Sequence, residues 1–118
     1  WDDMAAKNGR YIDGEAKMLL PNVTIDGGIC FEDDGISISY TPGHTEDSIS
    51  VFDERDGVLN AGDNIGDTAE DIVPSLACPK EAYIKTLKLY HSMNFEHCVS
   101  GHNEIMGRDV IERILREL

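Results

Sequence analysis

Apolar and polar residues alternate along three short stretches in the middle of the chain, residues 36–41, 48–52 and 57–61, and a period of two predicts β-strands. The last two are separated by Asp53-Glu54-Arg55-Asp56-Gly57, a hairpin signal, so the three strands read as an up-down-up meander. Two β-rich segments precede them, residues 22–25 and 28–32, the second closed by a turn at Asp33-Asp34-Gly35. Beyond residue 79 the period lengthens. Pro79 takes the first helical position of a segment reaching about Met93, with Tyr83, Ile84, Leu87 and Tyr90 on one face. Residues 95–99 return to a β-rich run. From about Arg108 the stripe Val110, Ile111, Ile114, Leu115 and Leu118 predicts a closing helix that must cover a sheet. At the start, Trp1, Met4 and Ala5 fall at helical spacing with Asn8-Gly9 as a stop, and residues 11–21 form a link. Residues 64–78 are acidic, interrupted by Pro74 and weakly periodic, which marks a functional or mobile loop.

This order predicts an α/β (α+β) fold, one mixed sheet with helices on one face. In a meander the first and third strands run the same way, and a helical crossover returns the chain in the parallel sense. The three strand ends that result share one edge of the sheet. Just beyond them stand Gly43-His44, Gly62-Asp63 and Gly101-His102. Glycine removes the Cβ constraint where the chain must turn, so each donor can swing toward a common point. A lone His after a strand is more often a solvated turn residue. The convergence of His44, Asp63 and His102 is what makes them candidate metal ligands, forming by themselves a weak three-ligand site. Two imidazoles and a carboxylate suit a borderline divalent ion, Zn²⁺ first, with Fe²⁺ or Mn²⁺ also accepted. His91 belongs on the polar side of a helix. His97, inside a strand, reads as a packing residue.

The length of 118 residues bounds the chain to one domain. Its 23 acidic and 10 basic residues give a formal charge of −13, which disfavours nucleic-acid backbones and anionic membranes as partners. Cys30, Cys78 and Cys98 are odd in number and lack finger spacing, so no disulfide framework is expected and a reducing, cytoplasmic compartment is. Cys30 and Cys98, both in predicted strands, read as small core residues. No apolar run approaches the roughly 20 residues needed to span a bilayer, and the start shows no signal-peptide pattern. The chain opens on Trp1, which reads as a trimmed or fragmentary start.

Thr41-Pro42-Gly43-His44-Thr45, then Gly57-Val58-Leu59-Asn60-Ala61-Gly62-Asp63, then Ser100-Gly101-His102 before a final amphipathic helix together resemble the second half of a metallo-β-lactamase-fold hydrolase, over residues 23–118. The resemblance implies a four-layered αββα sandwich with metals at one edge of its sheets. It also implies that His44 ligates a first ion, Asp63 bridges two, and His102 ligates the second. The family's other signature, His-x-His-x-Asp-His, is missing, since no His precedes His44. Residues 1–118 are therefore expected to be a single partial domain, the C-terminal half of such a fold. The parent would cleave a small ester, thioester, lactone or amide with a binuclear, two-zinc centre, while this chain alone would be metal-depleted and inactive, with no catalytic residue assignable. Its partners would be a small-molecule substrate in the parent and either the missing N-terminal half or a second copy. The alternative is a non-catalytic half-domain that acts by self-association or by pairing with a complementary chain.

Overall fold

The computed structural model describes residues 19–118. The helix expected over residues 1–9 and most of the link over 11–21 lie outside them. The elements are β1 (Gly28–Phe31), β2 (Ile36–Tyr40), β3 (Ile49–Asp53), β4 (Val58–Gly62), α1 (Lys80–Ser92), β5 (His97–Ser100), β6 (Met106–Gly107) and α2 (Asp109–Glu117). The strands form one six-stranded sheet in chain order. Every neighbouring pair is antiparallel except β4 and β5, which run parallel because α1 carries the chain back across the sheet. The ends of β2, β4 and β5 consequently lie at one edge, as strand direction predicts.

Register assigns the two faces. Phe52 pairs with Leu59, and Leu59 with Cys98, so these side chains point to the same side. That side is the core, where Leu59, Ala61 and Cys98 meet Tyr83, Leu87 and Tyr90 of α1 and Val110, Ile111 and Ile114 of α2. Tyr83, Thr86, Leu87 and Tyr90 are spaced at i, i+3, i+4 and i+7 and are all buried; Ile84 sits at the flank, half-buried. All five residues of the closing stripe are buried or pack against the core.

The opposite face is largely apolar, interrupted by Asp53, Asn60 and His97, and has no such cover among the described residues. It carries Ile29 and Phe31 of β1, Ile36, Ile38 and Tyr40 of β2, Ile49 and Val51 of β3, Val58 of β4 and Val99 of β5. None of them is fully buried, and Phe31, Tyr40 and Ile49 are 46, 44 and 46% exposed.

Four expectations need correction. Residues 22–25 form no strand: Val23 is exposed, and pairing begins only at Gly28, opposite Ser39. Cys30 is exposed, because the helices cover β3 to β6 and the core takes no residue from β1 or β2. His97 is exposed rather than packed, since it pairs with Val58 and so points to the uncovered face. Pro79 precedes the first helical turn instead of opening it, with an extended ψ of 137°. The two-residue β6 was not foreseen, being too short to show a period.

Candidate metal centre

His44 lies in the turn after β2, and three bonds fix its peptide and ring. Its backbone N–H donates to Asn64 Oδ1 at 2.8 Å, and its carbonyl accepts from Ala77 N–H at 3.0 Å. Its Nδ1 is 3.0 Å from the carbonyl oxygen of Ser75. A carbonyl can only accept, so a neutral His44 carries its proton on Nδ1 and leaves the Nε2 lone pair free. A second partner holding the far nitrogen in this way is the usual support of a metal-binding imidazole. Ser75 Oγ adds a contact to the same nitrogen at 3.3 Å.

Asp63 follows β4 directly. Gly62 ends the strand with φ of 55°, left-handed backbone that favours glycine, and the chain turns there to present the carboxylate. Gly101, after β5, serves a different need: a Cβ at that position would collide with Asp63 Oδ1. The chain can therefore bring His102 close, and its Nε2 stands 3.7 Å from Asp63 Oδ1. Two donors on one tetrahedral zinc are separated by about 3.3 Å, given bond lengths near 2.0–2.1 Å. The pair is thus close to the spacing a shared ion needs and too long for a hydrogen bond.

His44 and Asp63 line a common cavity of about 180 Å³, together with Gly66, Asp67, Asp71, Val73, Pro74 and Ser75. His102 is not part of that lining and is mostly exposed, at 63%. Among the described residues no three His, Cys, Asp or Glu side chains gather tightly enough to hold an ion. Asp63 lies near His102 and shares a cavity wall with His44, and His102 is not on that wall. The donor chemistry suits a metal, but these residues alone do not make a complete site for one. A larger groove of about 470 Å³, bordered by Tyr40, Pro42, Lys85 and Leu89, lies away from these donors.

The loop over residues 64–78 is built into the structure. Ile65 and Ile72 are buried in the core, Gly66 N–H donates to Ile72 O at 2.9 Å, and Asn103 Nδ2 donates to Gly66 O at 2.9 Å. Arg113 of α2 reaches Ala69 O at 3.0 Å. Asn64, Ser75, Asp67 and Asp71 escaped sequence reasoning, since they carry no period. The signal available was the position of Asn64 beside Asp63.

No protein-family model matches the chain, and no curated protein matches it. Solved structures do. A metallo-β-lactamase superfamily protein from the archaeon Sulfolobus tokodaii superposes with a TM-score of 0.67 at 22% identity, over 98% of this chain and 49% of that one. A metallo-β-lactamase family protein from Thermus thermophilus gives 0.65 at 19% identity, over 95% of this chain and 38% of that one. A metallo-β-lactamase from Hirschia baltica gives 0.56 at 23% identity, over 98% and 52%. The fold is half a metallo-β-lactamase fold. The chain spans about half the length, or less, of the metallo-β-lactamase-fold structures it matches. The six-stranded mixed sheet with two described helices is the part of that fold seen in this chain.

Proposed function

We propose that the chain is the portion of a metal-dependent hydrolase that supplies His44 to one ion, Asp63 to two, and His102 to the second, with the remaining donors contributed by residues outside those described. The observation that carries this reading is the position of Asp63, 3.7 Å from His102 and on the wall of the cavity that His44 lines. The half-fold shared with metallo-β-lactamase superfamily proteins supports it. Two such ions, zinc or alternatively iron or manganese, would supply a water activated near neutral pH for cleavage of a small ester, thioester, lactone or amide. The unpaired thiols Cys30, Cys78 and Cys98 agree with a cytoplasmic setting, and no described helix is long and apolar enough to cross a membrane.

The test has two arms. The 118-residue chain alone should turn over neither generic esters nor β-lactams above a metal-stripped control, and turnover there would overturn the incomplete-site reading. In a protein that also carries the missing donors, Asp63→Ala should lose at least one ion per chain together with activity. Unchanged metal content in that variant would refute the bridging role.

A second reading rests on the uncovered sheet face: the chain acts by pairing that face with its complementary half or with a second copy. Apolar burial at about 25 cal/mol per Å² favours any partner that restores a second layer. Sedimentation at micromolar concentration should give a dimer or a complex, and a compact monomer of about 13.1 kDa would count against it.

A further inference from the structure

We propose that Asn64 is the positioning residue of this site, a buried clamp that fixes His44 relative to Asp63; the proposal rests on the reading of both as ligands. Asn64 is fully buried and follows Asp63 in the chain. Its Oδ1 accepts the His44 N–H at 2.8 Å, while Nδ2 donates to Thr41 O at 2.7 Å and to Tyr90 Oη at 3.0 Å. Its own backbone carbonyl accepts the Tyr83 hydroxyl at 2.8 Å. Turning the carboxamide over would set its NH₂ against the His44 N–H and its oxygen against the Thr41 carbonyl, so only one orientation satisfies all partners. One amide therefore ties the strand end before His44, the His44 peptide and helix α1 to the residue beside Asp63.

The two motifs are matched to each other at this point. A Cβ on Gly43 would collide with Asn64 Oδ1 and lie 2.8 Å from the Tyr83 ring. Glycine at residue 43 makes room for the carboxamide, whereas Gly62 serves the turn. A side chain that merely filled space here would carry no polar atoms, because burying a carboxamide is costly unless each of its bonds is made. The bonds made are those that hold the His44 turn, and with it the ring that Ser75 holds by Nδ1.

The experiment is NMR on the isotopically labelled chain without metal. Wild type should show a scalar coupling across the hydrogen bond from His44 N–H to the Asn64 carboxamide, slow exchange of the His44 amide, and imidazole ¹⁵N shifts of the Nδ1-protonated tautomer. Asn64→Leu should speed His44 amide exchange at least about tenfold, the usual scale for losing a buried hydrogen bond, and shift the ring toward a mixture of tautomers, while Val110 and Ile111 of α2 keep their protection. Gly43→Ala should do the same with Asn64 intact. Lowered stability with His44 exchange and tautomer unchanged would reduce Asn64 to a core residue and overturn the proposal. If both variants unfold, absence of the coupling in wild type overturns it and its presence sustains it. Because every readout is metal-free, failure of His44 and Asp63 to bind metal would leave the clamp standing.

Discussion

Gly43 and Gly101 both precede a histidine and both stand where a Cβ would strike a neighbouring side chain, yet replacing them should have different consequences. At Gly101 the obstacle is the tip of Asp63, a 44% exposed carboxylate that can swing aside. Gly101→Ala should change unfolding free energy by less than about 0.5 kcal/mol while parting Asp63 from His102, so that under the proposed function metal content falls in a protein that also carries the remaining donors. At Gly43 the obstacles are buried, and Gly43→Ala should cost about 1–3 kcal/mol by overpacking, measured by urea denaturation. A second residue-scale effect concerns pH. Burial raises the Tyr83 and Tyr90 hydroxyls above their usual value near 10 and pushes the Cys98 thiol up to about 12. The folded state keeps these protons while the unfolded chain releases them. Stability is therefore full below about pH 9 and declines above it, by about 1.4 kcal/mol per pH unit for each group once its unfolded form has ionised. Urea midpoints measured from pH 8 to 11 should fall throughout the upper part of that range; a flat profile would contradict the burial of these groups. Cys30, being exposed, should react with iodoacetamide in the native chain while Cys98 does not.

At the scale of elements, helix α2 and strand β2 present apolar residues of opposite consequence. Ile111 is fully buried, so Ile111→Ala should cost about 2–5 kcal/mol. Ile38 is half-buried on the uncovered face, and Ile38→Thr, which keeps β-branching, should cost less than about 1 kcal/mol while weakening self-association in sedimentation. Strand and helix periods made most elements legible, because each element gathers its apolar residues on one stripe and the stripe repeats. The convergence of three strand ends was legible too, since direction alone decides it. The closure of the site was not. Whether His44 and His102 meet one point depends on where Ser75 holds an imidazole and where Asp63 leans, and neither leaves a period. Asn64 stayed hidden because polar residues at the core announce themselves only through partners remote in sequence, here Thr41 and Tyr90. The alternation that identified the strands was silent about how far the helices would reach and which face they would cover: β1 lies beyond them, which leaves Cys30 exposed, and His97 of β5 points to the uncovered face.

For the whole molecule, the half-length match and the bare apolar face express one condition: the sheet has the residues for two layers and, among those described, the cover for one. The formal charge of −13 opposes the meeting of two identical copies. A complementary half with fewer acidic groups would meet less resistance, and added salt should strengthen a dimer more than such a complex.

The sheet has a single parallel seam, between β4 and β5. Strands β1 to β4 join through short hairpins, whereas the seam requires the loop over residues 64–78 and α1 to be laid down first. Loop closure of that span makes the pairing slow relative to the hairpins. In pulse-labelled refolding, amides of β2 to β4 should gain protection before those of Cys98 and Val99 in β5; the reverse order would deny the seam its kinetic role. His44 and Asp63 are then neighbours early in the life of the chain, and His102 arrives late. Candidate ligands divided between the two sides of a seam are assembled in sequence, so the second histidine reports completed folding while the first does not.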